Sequence, residues 1–145
     1  MRLLVDSCVF LDSFDPGSPN HTDSLQLLTE LRIKKQTITM PAHAWFEVQC
    51  TMQRLRAEGR FVSPQIAGQM EYSLELMDID GKFIQKYAMV NIPYIKSGDH
   101  IFLAVAKTNG WPLVTSDEKM FDVAKKCGVK VFQPAEFTQI LRDGT

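Results

Sequence analysis

Short apolar segments alternate with longer stretches of helical periodicity along most of this chain, and this alternation limits its fold more than any other feature. Residues 3–5, 37–40, 112–115 and 129–132 are predicted to form buried strands. In most of the intervening segments apolar residues recur at three- and four-residue spacing, which predicts amphipathic helices. Successive parallel strands need crossover helices, so we predict an α/β domain with a mainly parallel sheet.

The middle of the chain is less regular. A helix is predicted after Pro64, followed by a short strand at 77–79 and a helix at 81–89. The first of these helices would carry an apolar stripe made of Ile66, Met70, Leu74 and Met77. The chain of 145 residues, 45% of them apolar, suits one hydrophobic core, so residues 1–145 are predicted to form a single domain.

Acidic residues fall where the predicted strands end. Asp6 follows the first strand, Asp117 follows strand 112–115 almost at once, and Asp99 opens the helix before that strand. Ligands of open parallel sheets bind beyond the carboxyl ends of the strands, so these acids are expected at one functional edge. Taken singly, Asp99 and Asp117 are more often helix N-terminal residues than ligands, and the case depends on the acids together.

Glu47 is the fourth candidate acid and lies inside the helix predicted at 42–55. Its neighbours Trp45, Phe46 and Val48 are apolar, so we expect this carboxylate to be partly buried. Grouped carboxylates repel one another and must share protons or bind cations. Hard ions such as Mg²⁺ or Mn²⁺ take oxygen ligands, and they favour hydrolysis of phosphodiesters by activating a bound water.

Several polar residues near these acids have simpler interpretations. Ser116 is expected first of all to cap the helix that follows it, and Asp12 to be solvated or to cap a helix. His43 and His100 invite a general-base role. In a two-metal mechanism the ions activate the water, so neither histidine is required.

Four segments together resemble the PIN domain family, in particular its small prokaryotic VapC-like members. The segments are Leu3-Leu4-Val5-Asp6-Ser7-Cys8-Val9, Ala44-Trp45-Phe46-Glu47-Val48, Gly98-Asp99-His100-Ile101-Phe102 and Pro112-Leu113-Val114-Thr115-Ser116-Asp117. The resemblance implies a three-layer α/β/α fold with Asp6, Glu47, Asp99 and Asp117 as catalytic metal ligands. It also implies one or two Mg²⁺ or Mn²⁺ ions, cleavage of single-stranded RNA, and a toxin role with a cognate antitoxin as partner.

The chain departs from the family pattern at two places. Members often carry Asp-x-Asp-Phe at the fourth acid, whereas this chain has Asp117-Glu118-Lys119-Met120-Phe121, so Glu118 is expected to substitute in part for the missing acid. Ser7 replaces the commoner Thr and keeps a hydroxyl for a ligand or phosphate. A nuclease acting on DNA, and a catalytically silent module that binds RNA or protein, remain the alternative functions.

Composition bounds the setting of the protein without naming a substrate. The net charge is −1, and the three cysteines are scattered, which indicates neither a disulfide framework nor a zinc site. No apolar run approaches the roughly 20 residues that span a bilayer, so a cytoplasmic protein without membrane association is predicted. A homodimer is expected, with Phe61, Ile66, Met70 and Leu74 as candidate contacts, although such residues more often pack in a core.

Overall fold

A five-stranded sheet forms the centre of the protein, whose computed structural model describes residues 2–60 and 72–144. The strands are β1 Leu3–Val5, β2 Ile38–Pro41, β3 Leu74–Met77, β4 Leu113–Val114 and β5 Val131–Phe132. Their order across the sheet is β3-β2-β1-β4-β5, and every neighbouring pair is parallel. The predicted α/β class with a parallel sheet is therefore confirmed.

Helices flank this sheet. Their bounds are α1 Ser7–Phe14, α2 His21–Ile33, α3 Ala42–Ala57, α4 Gly81–Tyr87, α5 Ser97–Asn109, α6 Glu118–Lys126 and α7 Pro134–Arg142. Helix α1 packs against α2 and α3, and α2 also packs against α7. Helix α5 packs against β2 and β4, and α4 packs against α5.

The core centres on β1, which lies between β2 and β4 and has no solvated face. Leu3, Leu4 and Val5 are all buried, as is the run from Phe102 to Ala106 in α5. A strand covered on both faces needs a continuous apolar run, which explains why this segment does not alternate with polar residues. The position of β1 also fixes Asp6, the next residue, at the middle of one sheet edge.

Two predictions for the middle of the chain are wrong. Leu74 and Met77 belong to β3 and pair with Ile38 and Pro41 of β2, so they form no helical stripe, and the strand ends before residues 78–79. Pairing along β2 overrides the local periodicity that favoured a helix. The helix predicted after Pro64, with Ile66 and Met70, lies outside the described residues.

Helix α1 is not anticipated from the periodicity. It starts directly after β1, and Val9, Phe10, Ser13 and Phe14 form its buried face. Four-residue spacing between these pairs is the signal that could have revealed it. The remaining helix bounds differ from the predicted ones by only a few residues. Among the described residues, no helix is both long enough and apolar enough to cross a membrane.

Candidate active site

Pairing of β1 with β4 brings Asp6 and Thr115 into contact although 109 residues separate them. The backbone N–H of Asp6 donates to the Val114 carbonyl at 2.9 Å, which extends the ladder past the strand. The Thr115 hydroxyl donates to Asp6 Oδ2 at 2.7 Å and accepts the backbone N–H of Asp117 at 3.0 Å. One hydroxyl thus links two of the predicted acids.

Asp6 is buried, with 4% of its surface exposed. Its Oδ2 accepts hydrogen bonds from Thr115 and from the Cys8 thiol, the latter at 3.0 Å, and the Ser7 hydroxyl lies 3.4 Å from Oδ1. Burial raises the pKa of Asp6, these hydrogen bonds lower it, and the Asp117 carboxylate raises it. Oδ2 is therefore held by two side-chain donors, both closer than the one side-chain donor at Oδ1 among the described residues.

Asp117 is the N-cap of α6. Its Oδ1 accepts the backbone N–H of Met120 at 3.0 Å, as a capping carboxylate does, and its second oxygen accepts no hydrogen bond from the described residues. The prediction that Ser116 caps this helix is wrong, because its hydroxyl donates to Asp12 at 3.0 Å instead. Asp12 likewise is not simply solvated.

Burial and the charges of all three other candidate acids raise the pKa of Asp99. Burial raises its pKa most, to about 6, and the charges of Asp6, Asp117 and Glu47 add to the shift while Lys96 opposes it. Among the described residues, the Thr115 hydroxyl links Asp6 to Asp117, whereas Asp99 and Glu47 are related to them through the effect of charge on the pKa of Asp99.

Glu47 lies on α3, and its charge contributes to the raised pKa of Asp99. Its side chain is exposed, so the expectation of partial burial is wrong. Helix α3 buries Ala44 and Val48, whereas Phe46 is 70% exposed, and Glu47 lies off the buried stripe. The apolar neighbour Phe46 does not indicate burial of Glu47, because Phe46 is itself exposed to solvent.

The chemistry of these side chains fits a hard divalent cation. A buried carboxylate and a second one with a raised pKa are each stabilised when a cation replaces a proton. Among residues 2–60 and 72–144, no three His, Cys, Asp or Glu side chains converge as a ready-made metal cage. Mg²⁺ usually keeps several waters and takes only one or two carboxylates, so the open arrangement suits a hydrated ion.

Two of the supporting residues lie beside Asp6 and Asp117. Ser7 contacts Asp6, and Glu118 borders a cavity of about 290 Å³ beside Asp117. Asp122 lines the same cavity one helical turn after Glu118 and was missed, although the four-residue spacing of the two acids on α6 could have indicated it.

Both candidate histidines have a buried ring nitrogen without a partner in the described part of the chain, Nδ1 of His43 and Nε2 of His100. His43 lies one turn before Glu47, and a methyl group on Gly98 would lie 3.8 Å from its Nε2. The His43 ring therefore packs against the first turn of α5, beside Asp99.

Cys8 and Thr115 are the two contact residues that sequence reasoning missed. Both donate to Asp6, and both belong to the segments that carry acids. Their positions two residues after Asp6 and two before Asp117 were the available signal.

Comparison with known proteins identifies the family. The family model for the PIN domain matches residues 3–126. The chain belongs to the PIN domain family. Members of this family are in general nucleases. The resemblance seen in the four sequence segments is therefore confirmed, together with the fold that it implied.

Solved structures of PIN-like fold cover nearly the whole chain at low sequence identity. A PilT N-terminus domain protein from Sulfolobus solfataricus has a TM-score of 0.57 at 12% identity, over 100% of this chain and 97% of the other. VapBC2 from Rickettsia felis, bound to a DNA fragment from its promoter, has 0.60 at 15% identity, covering 92% and 98%.

FitAB bound to a DNA fragment has a TM-score of 0.57 at 20% identity, with 92% of this chain and 95% of the other covered. No curated protein sequence matches the chain significantly. At these identities the structural likeness shows the fold alone, so substrate and partner must be argued from the site.

Proposed function

We propose that this PIN domain is a metal-dependent endoribonuclease that cleaves single-stranded RNA, with Asp6, Glu47, Asp99 and Asp117 as the catalytic metal ligands. The observation that carries this proposal is the buried Asp6 at the end of β1, linked to Asp117 through the Thr115 hydroxyl, and the raised pKa of Asp99 is consistent with it. Carboxylates that repel one another are costly for a protein without a cation and useful for one that binds Mg²⁺ or Mn²⁺.

A bound Mg²⁺ or Mn²⁺ ion supplies neutralisation of the phosphate and a coordinated water of lowered pKa. The residues of the chain hold and orient this chemistry. Thr115 and Cys8 fix the Asp6 carboxylate through Oδ2. Lys96, whose charge acts on Asp99, is placed to attract a phosphate of the substrate.

The test is cleavage of matched single-stranded RNA and DNA oligonucleotides by the purified protein with Mg²⁺ or Mn²⁺. Asp6→Asn should abolish cleavage, as should EDTA, because both remove the ion. Asp23→Asn is the matched control, since Asp23 is an exposed acid in the first turn of α2. RNA that stays intact under every metal condition would contradict the proposal.

Two alternatives are decided by the same assay together with a Mn²⁺ titration of the protein. Preferential cleavage of DNA would assign a deoxyribonuclease, since the acids themselves do not distinguish the sugars. Metal binding without cleavage of either substrate would favour a silent module that binds RNA or protein. The exposed Glu47 and the Glu118 found in place of the second Asp are the features that make this outcome worth testing.

We further propose that the protein acts in the cytoplasm as a toxin restrained by an antitoxin. The resemblance to VapC-like members supports this role, and VapBC2 is among the structural neighbours. Co-expression with the product of an adjacent small reading frame should restore growth of cells that the wild-type protein arrests. Arrest that persists equally with Asp6→Asn would contradict a nuclease toxin.

A homodimer is also part of the proposal. Ile84, Met89 and Tyr94 are exposed on and after α4, and a group of exposed apolar side chains commonly marks a protein contact. Of the four contact residues expected from the sequence, Leu74 lies in β3, and the others fall outside the described residues. Light scattering should give twice the mass of one chain, and Ile84→Asp should halve it.

A further inference from the structure

Asp12 is not one of the four candidate acids Asp6, Glu47, Asp99 and Asp117, here called the acid cluster. Each of its side-chain oxygens nevertheless accepts a hydrogen bond. Oδ2 accepts from the Ser116 hydroxyl at 3.0 Å, and Oδ1 accepts from the Ser18 hydroxyl at 2.9 Å. Its backbone carbonyl lies 2.9 Å from Nδ1 of His21. Asp12 thus joins α1, the turn before α2, and the segment between β4 and α6.

The bond from Ser116 is the one that local structure does not explain. Ser18 and His21 lie within ten residues of Asp12, and short polar side chains commonly make such contacts around turns. Ser116, in contrast, is 104 residues away. It stands between Thr115, which donates to Asp6, and Asp117. The bond therefore fastens the segment that carries one acid and supports another.

The contact between Ser116 and Asp12 also affects the hydrogen bonds of Asp6, through Cys8. A carboxylate only accepts, so the single hydroxyl proton of Ser116 goes to Asp12. The Cys8 sulfur lies 3.2 Å from the Ser116 oxygen and keeps its own proton for Asp6, at 3.0 Å. With Asp12 as acceptor, Ser116 donates to Asp12 and Cys8 donates to Asp6. Without it, the Ser116 proton is free to turn towards the sulfur.

We propose that Asp12 is a positioning residue for the acid cluster: by holding Ser116 it fixes residues 115–117, and with them Asp117 and the donors around Asp6. Its effect on metal binding rests on the proposed function. Partners that orient metal ligands typically contribute tenfold to a hundredfold to metal affinity, so the loss of this one should weaken Mn²⁺ binding about tenfold.

The experiment compares Asp12→Asn and Ser116→Ala with the matched control Asp23→Asn. Asparagine keeps the shape of Asp12 but offers one acceptor oxygen in place of two, so at most one of the two serines can still donate to it. Hydrogen exchange by mass spectrometry on the metal-free proteins should show faster exchange confined to residues 115–120 in both variants. Mn²⁺ titration followed by electron paramagnetic resonance should show about tenfold weaker binding. The control should match the wild type in both measurements.

Exchange at 115–120 that is unchanged in both variants would overturn the proposal. Faster exchange spread over the whole chain would overturn it too, because it would indicate general destabilisation, and so would unchanged Mn²⁺ affinity. A wild-type protein that binds no Mn²⁺ would contradict the proposed function instead. In that case the exchange measurement still decides whether Asp12 holds the segment.

Discussion

The thiol of Cys8 donates a hydrogen bond to the carboxylate of Asp6, with the sulfur 3.0 Å from Oδ2. Cys8 lies in the first turn of α1, so the helix that starts after β1 turns back to contact the residue at the strand end. Burial and the Asp6 charge raise the pKa of this thiol, which therefore keeps its proton and remains a donor.

Removing the thiol should leave Asp6 with one strong donor. We expect Cys8→Ala to lower the free energy of unfolding at pH 7.5 by about 1 kcal/mol and to weaken Mn²⁺ binding, whereas Cys8→Ser should keep most of both. Urea unfolding and Mn²⁺ titration measure the two effects. The control is Cys50→Ala at an exposed cysteine of α3. Equal behaviour of Cys8→Ala and Cys50→Ala would contradict the role of the thiol.

Thr115 should be the most sensitive hydroxyl of the site. Thr115→Val removes the donor to Asp6 and the acceptor of the Asp117 N–H, so we expect a loss of about 2 kcal/mol in the free energy of unfolding and a large loss of activity. Thr39 in β2 is the matched control, because it is equally buried and its hydroxyl has no partner in the described residues.

The same change at Thr39 should therefore act in the opposite direction. Thr39→Val replaces an unsatisfied buried hydroxyl with a methyl group and is expected to leave stability unchanged or to raise it. Denaturant unfolding of the two variants side by side provides the comparison. Similar losses in both would show that the hydrogen bonds of Thr115 contribute little.

The metal-free protein should be destabilised by Asp99 as the pH rises. Its folded-state pKa is raised from 3.8 to about 6, so the folded state binds more protons than the unfolded state between these values. The stability due to protonated Asp99 is complete below about pH 4 and is lost as the pH passes about 6. Thermal unfolding between pH 4 and 7.5 should show a less negative slope for Asp99→Asn than for the wild type. Identical slopes would contradict the raised pKa.

A divalent ion should offset the repulsion among the acids. At pH 7.5 we expect Mn²⁺ at a hundred times its dissociation constant to stabilise the wild type by about 2.7 kcal/mol, and EDTA to reverse the effect. Asp6→Asn should lose most of this gain, while Asp23→Asn should keep it. Calorimetric melting curves measure the shifts. A gain that is the same in Asp6→Asn would show that the ion binds elsewhere.

The sequence predicts the fold class well because short apolar runs and helix-ending glycines are local signals. It also places Asp6, Asp99 and Asp117 at one sheet edge, since the rule for parallel sheets needs only the ends of the strands. It does not give the order of the strands, so the contact between Thr115 and Asp6 is not accessible from it. That contact depends on β4 lying beside β1 rather than at the sheet margin.

The incorrect predictions have a common physical origin. The exposure of Glu47 and the role of Ser116 both depend on which neighbour a side chain meets, and periodicity does not report that. In α3, Phe46 is exposed to solvent, so Glu47 is exposed beside it and not partly buried as expected. At α6, Asp117 takes the capping position and Ser116 is drawn to Asp12 by a contact across the fold.

The pairing of β1 with β4 also joins segments of the candidate site that are synthesised at different times. During translation the hydroxyl that orients Asp6 is synthesised 109 residues after Asp6 itself. A ribosome-bound chain that lacks β4 has neither this donor nor Asp117. The proposed nuclease would thus be inactive towards the messenger RNA that encodes it. It would acquire its full set of candidate metal ligands only after Asp117 has been synthesised and β4 has paired with β1.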